Sequence, residues 1–239
     1  MPDDRCGYLA WPGAAPGAML FDPRRVSEPG PGLFDPRAYG DDARAVAAGG
    51  RQAAWFVRGG FGDAVLRGFR RGGFAARISA ASYLWQGESR TRSFAEYRLL
   101  QDLHARGLPV PAPLAAAYWR RGWSYRAAIL VERLPEVQPL ARSLDRPAWR
   151  AVARAVAAMH DAGVWHADLN AYNVLLDPAG RAWLIDFDRG RGGGLSEGAR
   201  RDNLQRLRRS LRKVGGEAGL RYWERIAAEY RSLRQAGSA

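Results

Sequence analysis

The chain has 239 residues, and its 37 basic side chains outnumber the 24 acidic ones, which gives a formal net charge of +13 at pH 7. A single cysteine, Cys6, excludes an internal disulfide, and one thiol with three histidines excludes a Cys/His zinc site. No run of about 18 apolar residues is present, which excludes a membrane-spanning helix. The first residues lack the basic start and apolar run of a secretory signal, so we expect a cytoplasmic protein.

Residues 1–42 are predicted to form an irregular arm rich in proline and glycine. Seven of the 14 prolines lie in the first 40 residues, and little regular structure is expected there. The pentapeptide Leu-Phe-Asp-Pro-Arg occurs at 20–24 and again at 33–37. Because no third copy follows, the pentapeptide predicts two similar turns with apolar anchors and not a structural repeat.

Residues 43–131 are predicted to form a strand-rich N-lobe. Short apolar runs at 53–57 and 64–69 are separated by glycines, a pattern typical of a β-hairpin. Apolar residues three and four positions apart in 93–106 predict an amphipathic helix. A second strand pair is predicted within 115–131, with a turn at its centre.

Residues 132–239 are predicted to form a reduced, mainly helical C-lobe. An apolar stripe over 149–159 and another over 220–233 predict two helices with buried faces. Between them, 173–176 and 182–186 read as short strands on either side of a turn. A strand-rich lobe followed by a helical lobe is a bilobal α+β architecture.

The strongest chemical signal is His-Ala-Asp-Leu-Asn-Ala-Tyr-Asn at 166–173, followed by Ile-Asp-Phe-Asp at 185–188. Phosphoryl transfer needs a carboxylate that accepts a proton from the attacking hydroxyl, and oxygen ligands that hold Mg²⁺ on the phosphates. Asp168 is the predicted catalytic base, and Asn173 and Asp186 are the predicted metal ligands. The order H-x-D-x-x-x-x-N and then I-D-F is that of protein-kinase-like enzymes. The alternative is a set of ordinary turn-forming residues.

His166, in the same segment, is predicted to support the loop structurally. A protein-kinase-like lobe also needs a glycine turn over the phosphates, a cation on its third strand and an acid on the next helix. Gly49 and Gly50 are the predicted glycine turn, although the glycines at 59–62 compete for this role.

Arg67 takes the predicted cation position, with Glu96 as its partner. Arginine grips carboxylate or phosphate with two donors where lysine is a point charge, so the geometry differs from that of a usual kinase lysine. The alternative for Glu96 is a solvated helix face.

Five segments, at 65–73, 92–97, 107–111, 166–173 and 185–190, together resemble the lipopolysaccharide kinases with a protein-kinase-like fold, which include the 3-deoxy-D-manno-octulosonic acid (Kdo) kinases. The match covers most of the chain but not the N-terminal arm. The resemblance implies ATP-dependent phosphorylation of the 4-hydroxyl of Kdo on a Kdo-lipid A precursor in lipopolysaccharide core biosynthesis. It also implies a peripheral position on the cytoplasmic face of the inner membrane, and an arginine at position 67 is normal in this family.

The departures from protein kinases bear on the substrate. Ala167 replaces the arginine of H-R-D, and Asp188 replaces the glycine of D-F-G. Too few residues follow Asp186 for an activation segment and a peptide-docking subdomain, which disfavours a protein substrate. By fold analogy alone, adenine is expected at backbone groups around Glu132 and Leu134.

Arginines interleaved with aromatic residues predict contact with an anionic membrane surface, although a scattered, solvated arginine surface is the alternative. The arginines are Arg70, Arg71, Arg77, Arg90 and Arg92. No nucleic-acid motif is present, and we expect neither a nucleic-acid nor a protein partner. Two other functions stay open from the sequence: an atypical protein kinase of the RIO type, and a non-catalytic basic binding module with a kinase-like fold.

Overall fold

The computed structural model of this chain describes residues 6–46, 54–69 and 83–236. The chain divides into two compact units, Met1–Gln101 with Ala112–Arg133, and Asp102–Pro111 with Leu134–Ala239. The first unit holds the long β-sheet and the second holds most of the helical residues. The predicted α+β, kinase-like class is confirmed, but the N-terminal arm is part of the first unit and not a separate segment.

One antiparallel sheet forms the framework of the first unit. In the described part of the chain its strands run in the order β1-β2-β7-β8-β5-β4-β3, and β6 pairs with the start of β8. The pairs β4–β5 and β7–β8 are the two predicted hairpins. The strands are β1 (Gly7–Trp11), β2 (Gly17–Phe21), β3 (Ala43–Ala45), β4 (Ala54–Gly59), β5 (Gly62–Gly68), β6 (Tyr83–Leu84), β7 (Pro113–Arg121) and β8 (Ser124–Glu132).

The prediction of an irregular arm over 1–42 is wrong, because β1 and β2 form a hairpin whose second strand pairs with β7. Gly17 makes this pairing possible, since a Cβ atom there would lie 2.2 Å from the backbone oxygen of Tyr118. The first four residues of β2 are all buried, so the strand lacks the polar and apolar alternation that signals a half-exposed strand. Pro12 and Pro16 lie between β1 and β2, and Pro23 follows β2, where they cost no ladder hydrogen bond.

The two Leu-Phe-Asp-Pro-Arg copies form similar turns, as predicted. Asp22 and Asp35 each accept a hydrogen bond, 3.0 Å long, from the backbone N–H of the arginine two residues later. Each aspartate also pairs with the guanidinium of that arginine. Phe21, Leu33 and Phe34, which precede these aspartates, pack on the core of the sheet, and Leu20 is buried. Each copy therefore consists of two apolar residues followed by an Asx turn.

The second unit contains a small sheet in the order β11-β10-β9 and two of the three α-helices found among the described residues. Its strands are β9 (Gln138–Pro139), β10 (Val174–Leu176) and β11 (Ala182–Leu184). The helices are α1 (Arg92–Ala105), which begins in the first unit, α2 (Trp149–Asp161) and α3 (Glu197–Ala236). Short 3₁₀ helices occur at Pro31–Phe34, Pro36–Asp42, Glu88–Arg90 and Leu140–Arg142.

The helices of the second unit bury the predicted apolar stripes. Val152, Val156 and Met159 of α2 are fully buried, as is Ile226 of α3. Helix α3 is broken at Gly216, whose φ of 53° is a backbone conformation that favours glycine, so that it consists of two helical segments. In the part of the chain that the structure describes, no helix is long and apolar enough to cross a membrane.

Candidate active site

The β10–β11 hairpin brings two of the predicted site residues together. Its register pairs Val174 with Leu184, so Asn173 and Ile185 flank the same end of the ladder. The backbone N–H of Ile185 donates to the carbonyl of Asn173 over 3.1 Å. Asp186 follows Ile185 directly. The strand register therefore brings the backbones of the two predicted metal ligands, Asn173 and Asp186, close together.

The buried imidazole of His166 links the catalytic loop to the metal loop. Its Nδ1 accepts from the backbone N–H of Asp168 at 3.1 Å, and its Nε2 donates to the carbonyl of Ile185 at 3.0 Å. Burial lowers the pKa of His166 and keeps the ring neutral, the state that both hydrogen bonds require. The ring also packs on Phe187, with centroids 4.7 Å apart. The predicted structural role of His166 is confirmed.

The catalytic loop is shaped by amide side chains. The carbonyl of Asp168 accepts from Nδ2 of Asn173 at 2.8 Å and from Nδ2 of Asn170 at 3.1 Å. Oδ1 of Asn170 in turn accepts the backbone N–H groups of Tyr172 and Asn173. Since the nitrogen of the Asn173 amide is bound internally, its Oδ1 is the atom that can ligate a cation. The carboxylate of Asp168 is exposed and can meet a substrate.

Asp186 has a φ of 63°, in the left-handed region that residues other than glycine seldom adopt. Such a conformation costs on the order of 1–3 kcal/mol and occurs mainly at functional sites. The neighbours hold it: both backbone polar groups of Ile185 are hydrogen-bonded, and Phe187 is buried. The local fold thus fixes the backbone position from which the Asp186 side chain extends.

The donor set in this loop pair fits Mg²⁺ bound together with phosphates. Among the described residues, no group of three or more His, Cys, Asp or Glu side chains could hold a metal. Asn173 and Asp186 offer one amide oxygen and one carboxylate. Mg²⁺ is commonly held by one or two carboxylates with substrate phosphates and water in the remaining positions. The residues present therefore suit a cation that arrives with a nucleotide.

Arg67 and Glu96 form a buried ion pair in the first unit. Nη2 of Arg67 lies 2.5 Å from Oε1 of Glu96, and the side chains are 16% and 1% exposed. Strand β5, between β4 and β8, positions the arginine, and α1 positions the glutamate. The guanidinium also lies 5.2 Å from the ring centroid of Phe69. The predicted pairing is present, and the alternative of a solvated Glu96 is wrong.

The predicted glycine turn, Gly49 and Gly50, lies outside the described residues and stays a prediction. The competing glycines have a structural role. Gly59 pairs with Gly62 at the end of the β4–β5 hairpin, and Gly62 has a φ of 91°. The side chain of Phe61, in the same turn, is buried in the core.

The predicted adenine site has fewer open backbone groups than the sequence indicates. The N–H of Glu132 donates to the carbonyl of Ala112 at 2.9 Å, and that of Arg133 donates to Asp63 at 3.0 Å. The carboxylate of Glu132 lies 3.4 Å from the guanidinium of Arg25. Adenine recognition by this segment stays a prediction, carried by the carbonyl of Glu132 and by the backbone of Leu134.

The family of this chain follows from its similarity to known proteins. Residues 39–230 match the model of the lipopolysaccharide kinase (Kdo/WaaP) family. The chain belongs to this family. The predicted resemblance is confirmed, and so is the prediction of a kinase that transfers phosphate from ATP. The RIO-like protein kinase and the non-catalytic module are not favoured.

Three curated relatives of this lipopolysaccharide kinase share the name 3-deoxy-D-manno-octulosonic acid kinase. A protein of that name from Xanthomonas axonopodis pv. citri (strain 306) is 50% identical over 228 residues, which cover 94% of this chain and 90% of the relative. One from Xanthomonas campestris pv. campestris (strain 8004) has the same identity and coverage. One from Xylella fastidiosa (strain M12) is 47% identical over the same shares of both chains.

A buried polar network behind the catalytic loop of the kinase was not predicted. Asn203 of α3 accepts the N–H of His166 at 3.0 Å and donates to its carbonyl at 2.7 Å. The same Oδ1 lies 3.3 Å from Nε2 of His160, whose Nδ1 is 2.7 Å from the hydroxyl of Tyr230. Asn203 precedes Leu207 by one helical turn, so a polar residue on an apolar stripe is the signal that could have revealed it.

Replacing Asn203 by leucine should destabilise the kinase by about 3 kcal/mol, because it leaves the buried N–H and carbonyl of His166 without partners. Urea unfolding measures this loss. Gln205→Leu, an exposed position on the same helix, is the matched control and should leave stability nearly unchanged. Equal unfolding midpoints for the two variants would contradict the anchoring role of Asn203.

Stability should fall in acid because burial lowers the pKa of His160 from 6.5 to about 4. Between these values the unfolded chain binds a proton that the folded chain does not, so the free energy of unfolding decreases as the pH falls, by roughly 3 kcal/mol for this group. The lowered pKa of His166 acts in the same direction.

Urea unfolding at pH 7.5 and pH 5 compares wild type with His160→Gln, which removes the titrating ring. The variant should lose less stability than wild type between the two pH values, because only wild type must keep this ring unprotonated. An identical loss in both proteins would show that the titration of His160 does not contribute.

Proposed function

We propose that this chain phosphorylates the 4-hydroxyl of Kdo on a Kdo-lipid A precursor, with ATP as the phosphate donor and Mg²⁺ as the cofactor. The observation that carries the proposal is that the local fold links Asp168, Asn173 and Asp186. The His166 ring joins the Asp168 N–H to the carbonyl of Ile185, the residue before Asp186. The β10–β11 register sets Asn173 beside Ile185. The names of the relatives support the acceptor.

In the proposed reaction, the carboxylate of Asp168 orients the acceptor hydroxyl and takes its proton. The hydroxyl oxygen forms a bond to the γ-phosphorus, the bond from that phosphorus to the β,γ-bridging oxygen breaks, and ADP leaves. Oδ1 of Asn173 and the carboxylate of Asp186 would hold Mg²⁺, which neutralises charge on the phosphates when bound. Arg67, oriented by Glu96, is assigned to steady the phosphates.

The test incubates the purified protein with ATP, Mg²⁺ and a Kdo-lipid A acceptor and weighs the product by mass spectrometry. We expect the mass of one phosphoryl group to be added, and fragmentation to place it on Kdo. A lipid A precursor without Kdo is the control and should stay unmodified. If the protein consumes ATP but the Kdo acceptor stays unmodified, the proposed substrate is contradicted, whereas the assignment as a kinase still holds.

We further propose that the protein works at the cytoplasmic face of the inner membrane as a peripheral protein. Arg70, Arg71 and Arg77 lie outside the described residues, so the support comes from the tip of the β7–β8 hairpin. There Trp123 is 83% exposed, and its carbonyl accepts the N–H of Trp85, next to Leu84, which is 60% exposed.

Two arginines complete this hairpin tip. Arg120 and Arg121 are both exposed, and the Arg120 guanidinium lies 5.0 Å from the ring centroid of Trp85 while its Nε donates to the carbonyl of Gly122. Large exposed apolar side chains beside cations are the mixture that partitions into an anionic lipid interface. Tryptophan is enriched at that depth of a bilayer.

The double variant Trp123→Ser with Arg121→Ala should bind phosphatidylglycerol-containing vesicles about tenfold more weakly than wild type, since it loses an aromatic anchor and one cation. Cosedimentation at low and high salt measures the binding, which should weaken with salt. Tyr172→Ser removes an exposed aromatic side chain of the second unit and is the control. Unchanged sedimentation of the double variant would contradict docking through the tip.

A further inference from the structure

A cavity of about 360 Å³ is lined by residues from both helical segments of α3. Glu197, Arg200 and Arg201 contribute from the first segment, and Arg231 and Arg234 contribute from the second. The aliphatic side chain of Leu204 and the ring of Tyr230 form its less polar wall. None of the residues assigned to phosphate transfer lines this cavity.

The charges around the cavity do not balance. Arg234 forms an ion pair with Asp161, and Arg200 lies 3.6 Å from Asp161 and 3.2 Å from Glu197. Within the described ranges, neither Arg201 nor Arg231 forms an ion pair with a carboxylate. Among the described residues, Asp161 and Glu197 are the carboxylates within ion-pair distance of these four guanidinium groups, and Arg201 and Arg231 add positive charge that an anion would balance.

The incomplete hydrogen bonding of Arg200 is a further reason to expect a ligand. Its side chain is only 14% exposed, although arginine is seldom buried to this extent without full pairing. Its Nε and Nη1 atoms are buried and lie 3.2 Å from Glu197 and 3.6 Å from Asp161, but neither contact has the geometry of a hydrogen bond. Buried donors without hydrogen bonds are rare in folded proteins, and an oxyanion with several acceptor oxygens would satisfy them.

We propose that this cavity is a binding site for a phosphate group, inorganic or carried as a monoester, held by Arg200, Arg201 and Arg231. The guanidinium fork matches the oxygens of phosphate and forms short, charge-assisted hydrogen bonds. This site is separate from the proposed transfer chemistry, and its occupation does not require that ATP or Kdo be the substrates of the enzyme.

The test measures binding of inorganic phosphate by isothermal titration calorimetry. Saturating Mg²⁺ and a non-hydrolysable ATP analogue are present, so that phosphate binding at a nucleotide site does not contribute to the signal. A second arm offers the monoester in a lipid, as phosphatidylcholine vesicles with and without phosphatidic acid. We expect saturable binding in at least one arm, weakened by about tenfold or more in the variant Arg201→Ala with Arg231→Ala.

Two further variants keep the result interpretable. Arg208→Ala removes an exposed arginine of the same helix that does not line the cavity, and should bind like wild type. Arg201→Lys with Arg231→Lys keeps the charge and should retain part of the affinity. Thermal unfolding without phosphate checks that the alanine variant is folded, as expected for exposed helix positions.

The two arms separate a free phosphate from a lipid headgroup as the source of the ligand. The proposal is overturned if neither arm shows saturable binding, or if the alanine variant binds as tightly as wild type. Because the nucleotide site is blocked throughout, these outcomes are independent of whether the chain phosphorylates Kdo.

Discussion

Asp168→Asn should lower kcat by roughly a thousandfold, because a positioned general base contributes about 10²- to 10⁴-fold to a proton transfer. The amide keeps the size of the side chain but cannot accept the proton of the acceptor hydroxyl. The backbone of residue 168, which binds the His166 ring and the amides of Asn170 and Asn173, is unchanged by this substitution. The affinity for ATP should therefore stay close to that of wild type.

Steady-state turnover and nucleotide titration measure the two quantities separately. Asp202→Asn, which removes an exposed carboxylate from α3, is the matched control and should be fully active. Asp186→Asn should instead weaken the binding of Mg²⁺ with nucleotide, since the assigned metal ligand is changed. Wild-type turnover in the Asp168 variant would remove this residue from the mechanism.

Arg67→Ala should destabilise the first unit by about 3 kcal/mol, because removing one partner of a buried ion pair leaves the other charge in a dry environment. Glu96 is 1% exposed, so the guanidinium replaces the contact with bulk water that its carboxylate has lost. Glu96→Ala should cost a similar amount, and the double variant should cost less than the sum of the single variants.

Urea unfolding of the four proteins in this cycle gives the coupling between the two side chains. The exposed pair Arg58 and Asp63, with Nε and Oδ1 2.8 Å apart, offers a matched control on the same sheet. Arg58→Ala should cause no measurable loss, because exposed ion pairs contribute little. Purely additive losses at Arg67 and Glu96 would mean that the pair is not coupled.

The sequence predicts most of the site because its signals are local. The spacing of Asp168, Asn173 and Asp186 within two short segments places them on one hairpin and the preceding loop, and the structure keeps that arrangement. Arg67 and Glu96 are further apart in the chain, and their pairing is predicted from the kinase-like order of elements. Local spacing does not predict Asn203, which reaches His166 across 37 residues.

The sequence predicts the fold poorly where composition and tertiary structure conflict. Proline content predicts an irregular N-terminal arm, but β2 is a five-residue apolar strand that is paired on one side with β1 and on the other with β7. No local periodicity encodes that partner, which lies about a hundred residues later in the chain. Segments whose order depends on distant strands are the ones that pattern reasoning misses.

The N-terminal hairpin also covers a sheet edge that would otherwise favour association between molecules. The family match begins at residue 39, whereas β1 and β2 lie before it. A fragment cut at that boundary would leave the apolar nine-residue β7 as an open sheet edge, a template for strand addition between molecules. With the hairpin present, the edge strand of the described sheet is β1, which has five residues and is followed by Pro12, so a short, blunted edge replaces an aggregation-prone one.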